Sequence, residues 1–214
     1  MNRDLSSIVE SGFAVLLLAA GAAKRFGSDK RSALIDSRNT LLFQSIYQYK
    51  DLGFDVLVCL SARAQDDALA SMLCAESIAC LRCVRAGEGM GATLSEAVAT
   101  LGDVPGVLVA LADMPGLLPQ TILQILENAD SNRIVYPVYE GRRGHPVLFG
   151  RRFLPRLRTL SGDVGASKVL MENAHSCVPL SVDDAGVLLD VDTPEDLQRV
   201  ERLLQERSSV GESG

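Results

Sequence analysis

Phe13–Gly27 reads FAVLLLAAGAAKRFG, and this stretch decides the fold class. Phe13–Ala20 is a continuous apolar run that stops at Gly21. A run of this length before a glycine suits a strand buried on both faces, the situation of a parallel sheet. Lys24, Arg25 and Lys30 follow within ten residues of Gly21. In parallel sheets ligands gather at the carboxyl ends of strands. The small residues Ala19–Ala23 let the backbone come close to a ligand and turn N–H groups toward anionic oxygens. Arg25 can fork onto two phosphate oxygens, and Lys30 can set a point charge on another. The plain alternative is a solvated basic loop.

Working outward, Asp55–Leu60 (DVLVCL) and Gly106–Ala112 (GVLVALA) are two more buried strands, and Ala79–Val84 is a shorter one. Helices are expected over Leu41–Leu52, Ala64–Cys74, Ala92–Leu101 and Gln120–Ala129. Strands alternating with helices of this length indicate an α/β protein with a parallel sheet. The character changes after Ala129. Arg133–Tyr139 reads as a strand, and Tyr136–Phe149 (YPVYEGRRGHPVLF) as two strands joined by the turn Glu140–Gly144. Helices follow from Pro155 and over Val164–Asn173. Val187–Val191 reads as a short strand, and Pro194–Glu206 as a terminal helix with Thr193 as N-cap and Pro194 at N1. Ser208–Gly214 reads as a frayed tail. The expected architecture is α/β, three-layer and Rossmann-like, with a mostly parallel central sheet and a small antiparallel hairpin region.

The 214 residues fit one domain, 1–214, with no repeat or linker. A nucleotide-binding half is expected over about 12–130 and an acceptor-binding half over about 131–207. Hydrophobic residues make up 47% and charged ones 22%, an ordinary balance for a globular chain. The net charge of −6 argues against a general nucleic-acid binder, which needs a basic excess to neutralise phosphates. Cys59, Cys74, Cys80, Cys83 and Cys177 are an odd number at irregular spacings, which argues against a disulfide framework. Cys80 and Cys83 form one C-x-x-C without the second pair a zinc site needs. The apolar run is too short to span a bilayer and no secretory leader is visible, so the expected place is the cytoplasm, with no membrane partner.

Two rival readings of the glycine loop fail on spacing. A P-loop needs G-x-x-x-x-G-K-[ST], but Gly21 and Gly27 have five residues between them and Ser28-Asp29 follows. A dinucleotide fingerprint needs G-x-G-x-x-G, and only Gly21 stands in place.

Carboxylates come from two other places. Asp113 ends the Gly106–Ala112 strand, and Pro115 turns the chain away. Magnesium takes one or two carboxylates along with phosphate oxygens and waters, so one aspartate at a strand end can begin such a site. A turn or N-cap role is the alternative. Asp190 and Asp192 flank Val191, and strand alternation would put them on one face. Gly89-Met90-Gly91-Ala92-Thr93-Leu94 offers glycines against which a flat base could lie, just before a helix N-terminus that favours anions.

Taken together, Leu18-Ala19-Ala20-Gly21-x-x-x-Arg25-x-Gly27-x-x-Lys30, Gly89–Leu94, Asp113-Met114-Pro115, Gly144-His145-Pro146, Gly162-Asp163-x-Gly165-Ala166 and Asp190–Asp196 (DVDTPED) resemble, in order, the motifs of the molybdenum cofactor nucleotidyltransferases. The cytidylyltransferase branch is the most similar, because Ala20 precedes Gly21 where the guanylyl branch has glycine. The resemblance implies the nucleotide-diphospho-sugar transferase fold. It implies transfer of CMP from CTP, with Mg²⁺, to a phosphate of molybdopterin, releasing pyrophosphate. Arg25, Lys30 and Asp113 would then be catalytic. Leu18, Ala19, Ala20, Gly21, Arg25, Lys30, Gly89, Gly91 and Thr93 would bind the nucleotide, and Asp113 and Asp192 the metal. His145, Gly162 and Asp163 would bind the phosphorylated pterin acceptor, and a molybdoenzyme or its chaperone would receive the product. The chain departs from the family pattern at Ala23, Phe26 and Ser167, and over Lys30–Leu42. Four other readings stay open: GTP transfer to the same cofactor, a sugar-phosphate nucleotidyltransferase, nucleotidyl transfer to a small alcohol phosphate, and a non-catalytic maturation factor that binds nucleotide or cofactor.

Overall fold

The computed structural model describes residues 12–21, 26, 27, 29–163 and 165–211. The first strand, β1 (Ala14–Leu18), lies between β2 (Val56–Ser61) and β4 (Gly106–Leu111), parallel to both. β3 (Cys80–Cys83) extends this parallel set beyond β2. β1 alternates between two cores: Val15 and Leu17 join one, Leu16 and Leu18 the other. A strand buried on both faces therefore reads as unbroken apolar sequence.

Helices cover both faces, giving three layers. α1 (Leu41–Lys50), α2 (Asp67–Ala75) and α4 (Pro119–Glu127) supply Leu42, Ile46, Leu69, Leu73, Ile122 and Ile125 to one core. α3 (Met90–Thr100), α5 (Leu154–Leu157) and α6 (Ser167–Glu172) supply Leu94, Ala97, Leu154, Leu157 and Val169 to the other. Thr40 caps α1 by accepting the Phe43 N–H. Among the described residues no helix is long and apolar enough to cross a membrane.

The antiparallel part is arranged more tightly than a simple hairpin beside the sheet. β5 (Ile134–Tyr139) turns at Glu140 and Gly141, both with positive φ, into the two-residue β6 (Arg142–Arg143). The turn is thus two residues rather than the expected Glu140–Gly144. The chain then returns as β7 (Val147–Gly150), which fits between β4 and β5 and runs antiparallel to both. The sheet order is β3-β2-β1-β4-β7-β5-β6, and β8 (Cys177–Ser181) pairs in parallel with β5. β8 was not expected from the sequence.

The expected strand Val187–Val191 is instead a 3-10 turn over Ala185–Leu188 followed by irregular chain. Its cause is Asp184, whose carboxylate caps the turn through the Gly186 N–H and also accepts from Leu118 N and Thr121 Oγ1. Gly186 packs so closely on the Gly116 backbone that a Cβ would collide with the Gly116 carbonyl. Single bonds hold this segment in place of a ladder: His145 N to Val187 O at 3.0 Å and Val191 N to Asp113 O at 2.9 Å. Strand alternation therefore does not govern Asp190 and Asp192.

The terminal helix α7 (Pro194–Gly211) begins at the expected Thr193 cap. Asp196 closes the reciprocal half of the capping box on the Thr193 N–H at 3.0 Å. The helix reaches Gly211, so the boundary expected at Ser208 is passed. Arg207 ties it back through Asp184 at 2.7 Å and the Gly116 carbonyl.

Candidate active site

The parallel strands β1, β2 and β4 end along one edge, and a cleft of ≈ 670 Å³ opens there. Its floor is the end of β1, Leu18–Gly21, continued by Leu111–Asp113 from β4 and Ser61 from β2. Single backbone bonds hold this floor: Ala19 N to Cys59 O at 3.0 Å and Ala112 N to Leu18 O at 3.1 Å. A Cβ on Gly21 would meet nothing, so the backbone there faces open space.

Lys30 lies in a 3-10 turn, Lys30–Ser32, whose cap is the Asp29 side chain. Its ammonium donates to Asp113 Oδ2 at 2.8 Å, Asp192 Oδ1 at 2.9 Å and the Val191 carbonyl at 2.7 Å. Three elements far apart in sequence therefore meet at one nitrogen. Burial alone would lower the Lys30 pKa, but Asp113 and Asp192 outweigh it and hold the ammonium above its usual range. Asp192 reaches the cleft because Val191 is bonded to the Asp113 carbonyl, while Asp190 is exposed and does not line the cleft. Asp113 Oδ1 is buried and has no hydrogen-bond partner.

That orphaned oxygen bears on metal binding. A buried carboxylate oxygen without a donor is costly unless something else satisfies it. Asp113 and Asp192 offer hard anionic oxygens, which suit a divalent cation such as Mg²⁺. Among the described residues no group of three or more His, Cys, Asp or Glu could hold a metal unaided. These two carboxylates thus fit a cation that draws its remaining ligands from phosphate and water.

Beside Lys30, Arg31 forms a second ionic cluster that sequence reading missed. Its guanidinium donates to Asp29 Oδ1 and Oδ2, both at 2.8 Å, to Asp66 Oδ1 at 2.6 Å and Oδ2 at 3.0 Å, and to the Ala19 carbonyl at 2.7 Å. Asp66 is fully buried and also accepts the Ser61 N–H. Burial opposes the Arg31 charge, but Asp29 and Asp66 overcome this and raise its pKa further. The cluster ties Ala19 and the turn carrying Arg31 to Asp66 and the end of β2. Arg63 and Gln65, also unforeseen, line the cleft beyond it, with the Arg63 guanidinium lying across Gly87. Hydropathy patterns do not register such groups.

The other expected site residues fall into distinct places. Leu18, Ala19, Ala20, Gly21, Lys30, Gly89, Thr93, Asp113, Asp163 and Asp192 line the cleft. Gly91 and Gly162 do not, but they join two of its walls through a 2.8 Å bond from Gly91 N to Gly162 O. Gly89, with φ of 125°, is approached so closely by Gly162 and Asp163 that no side chain fits there. These glycines are thus required by the contact between two loops. Thr93 is buried and returns its hydroxyl to the Gly89 carbonyl at 3.2 Å. His145 is half-buried outside the cleft lining, its Nδ1 buried and without a partner. Burial depresses its pKa, although Asp113 pulls the other way. Arg25 and Ala23 lie outside the described residues. Cys59, Cys74, Cys80, Cys83 and Cys177 are all free thiols.

Comparisons with known proteins give the family and the fold. A family model described as "MobA-like NTP transferase domain" matches residues 15–178. Nicotine blue oxidoreductase of Paenarthrobacter nicotinovorans is 30% identical over 195 residues, 86% of this chain and 94% of that protein. The structure of Rv0371c in complex with manganese, from Mycobacterium tuberculosis H37Rv, superposes with a TM-score of 0.74 at 25% identity, covering 89% of this chain and 98% of that one. A nucleotidyl transferase from Methanothermobacter thermautotroptrophicus superposes with a TM-score of 0.77 at 18% identity, covering 91% and 98%, a likeness of fold.

Proposed function

This chain belongs to the MobA-like NTP transferase domain family, and from that premise we propose that it moves CMP from CTP to a phosphate of the molybdopterin cofactor, in the cytoplasm. The nucleotide occupies the half formed by residues 12–130, and the acceptor approaches from residues 131–207. The observation that carries this reading is the meeting of Lys30, Asp113 and Asp192 at the strand ends, with Asp113 Oδ1 still unsatisfied.

An oxygen of the acceptor phosphate attacks the α-phosphorus of CTP. The bond from that phosphorus to the α–β bridging oxygen breaks, and pyrophosphate leaves with the electron pair. Such a transfer needs positioning and charge stabilisation rather than a side-chain nucleophile. The backbone N–H groups around Ala20 and Gly21 and the Lys30 ammonium hold the triphosphate, and Arg25 adds a forked contact. Asp113 and Asp192 would hold Mg²⁺, which when bound offsets the charge that builds on the phosphates. Asp163, on the loop that Gly162 joins to Gly91, and His145, bonded through its backbone N–H to the Val187 carbonyl, contact the acceptor. A molybdoenzyme or its chaperone takes the product.

One relative is named an oxidoreductase, so the family fold serves more than one chemistry. The carboxylate–ammonium cluster favours a phosphate-bearing substrate that brings a cation. The test is pyrophosphate release from CTP and Mg²⁺ with and without molybdopterin. Release that needs all three, and that falls about 10³-fold or more in Asp113→Ala, is the expected result. Full activity in Asp113→Ala would refute the assignment, and release with a sugar phosphate but not the pterin would move the acceptor.

A further inference from the structure

Lys30 holds the same two carboxylates that a bridging cation would need. Its three contacts match the three donors of an ammonium group. The nitrogen therefore sits at the common focus of Asp113 and Asp192. A second positive centre cannot share that focus without strong repulsion at such short range. A free divalent ion that bridges Asp113 Oδ2 and Asp192 Oδ1 must displace the ammonium. The displaced ammonium would then be left without its counter-charges, although its side chain is only 12% exposed. Uncompensated buried charge is among the costlier faults in a protein.

A nucleoside triphosphate changes the balance. It brings several negative charges of its own, enough to satisfy both the divalent ion and the ammonium. The local construction also suits a movable group. Asp29 caps the turn that carries Lys30, and Arg31 anchors the same turn to Asp66 and Ala19, so the backbone is fixed. The lysine stem has four flexible carbons beyond that fixed base.

Resting on the nucleotidyl-transfer reading, we propose that Lys30 is a displaceable internal counter-cation. It closes the carboxylate pair to free divalent ions and yields it to a divalent ion that arrives with a nucleoside triphosphate, whose phosphates receive the ammonium. The ligand of this site is accordingly the cation–triphosphate complex and not the bare cation.

The test is Mn²⁺ binding to the full chain, read by the electron paramagnetic resonance of the free ion. No turnover is involved. Titrations are run alone and with a CTP analogue carrying a methylene bridge between the α and β phosphorus atoms. The wild type should bind Mn²⁺ weakly alone and about tenfold or more tighter with the analogue. Lys30→Gln should bind Mn²⁺ about tenfold or more tighter than the wild type without nucleotide, because a like charge has left the focus. Lys30→Arg, which keeps the charge, should not. Lys30→Met serves as a second neutral variant if the glutamine variant fails to fold. A folded neutral variant whose Mn²⁺ affinity without nucleotide equals or falls below that of the wild type overturns the inference and leaves the transfer reading intact. Failure of any triphosphate to bind the wild type with any divalent ion overturns the transfer reading. The response of the neutral variants to Mn²⁺ alone would still report separately on the counter-cation.

Discussion

Lys30 and Arg31 are neighbours in one turn, and each bridges two carboxylates, yet their surroundings differ. Arg31 faces inward, 8% exposed, and matches its guanidinium donors with Asp29, Asp66 and a backbone carbonyl. Lys30 faces the cleft, and one of its partners, Asp113, keeps a buried oxygen with no donor. The saturated cluster ties Ala19 and the Lys30–Ser32 turn to the end of β2. The unsaturated one is open to a ligand. Adjacent cations of the same sign thus divide between one locked into the fold and one facing the cleft, and the hydrogen-bond completeness of their carboxylate partners tells them apart.

This contrast can be broken from the structural side. Asp66→Ala leaves the buried Arg31 short of a partner and the Ser61 N–H without its acceptor. Loss of about 3 kcal/mol of stability is expected. For a chain of this size that lowers Tm by roughly 6–12 °C, measured by calorimetry. Asp113→Ala, by contrast, should cost less stability: it removes an unsatisfied oxygen along with one Lys30 contact, and the ammonium keeps its bonds to Asp192 and the Val191 carbonyl. Equal destabilisation by the two would erase the distinction.

Arg31→Lys is a finer probe. It keeps the charge but cannot reproduce five donations in a planar fork. A loss of about 1–2 kcal/mol in urea unfolding is expected. A neutral result would mean that charge alone, without fork geometry, holds the loop.

Acid gives the smallest effect. Hydrogen bonding from Arg31 holds the Asp29 carboxyl below its ordinary pKa, against the opposing effect of burial. A depressed carboxylate contributes stability that is complete above its unfolded value, about 3.9, and is lost as pH falls through the lower folded value. Asp29→Asn should therefore show a shallower fall in stability below about pH 4 than the wild type. Identical acid profiles would remove Asp29 from the cluster.

The two clusters also show what was legible in the sequence. Buried parallel strands read as unbroken apolar runs, so β1, β2 and β4 stood out, and Asp113 could be placed at a strand end. Lys30, Asp113 and Asp192 were each nominated from separate motifs, and one ammonium joins them. The Arg31–Asp66 pair was not legible, because a buried charge pair looks like two surface charges until the fold brings them together. β8 was hidden by Pro179 and by its half-exposed, mixed sequence CVPLS, and only pairing with β5 makes it a strand. The segment around Val187 has strand-like residues, but the Asp184 cap and the close approach of Gly186 to Gly116 override that preference. Gly89 and Gly91 are read from the sequence as a base platform, and the structure adds that packing against Gly162 and its neighbours also requires glycine there.

The central claim is that the Lys30–Asp113–Asp192 cluster receives a nucleoside triphosphate together with a divalent cation. Thermal shift of the wild type and of Asp113→Asn, with CTP, GTP, ATP and UTP, each with and without Mg²⁺, tests it most directly. The account predicts that CTP with Mg²⁺ raises the wild-type Tm by about 5–10 °C at about a hundred times Kd, that omitting Mg²⁺ removes most of the rise, and that Asp113→Asn does not respond. No shift with any triphosphate, or an equal shift without Mg²⁺ and in Asp113→Asn, would contradict it.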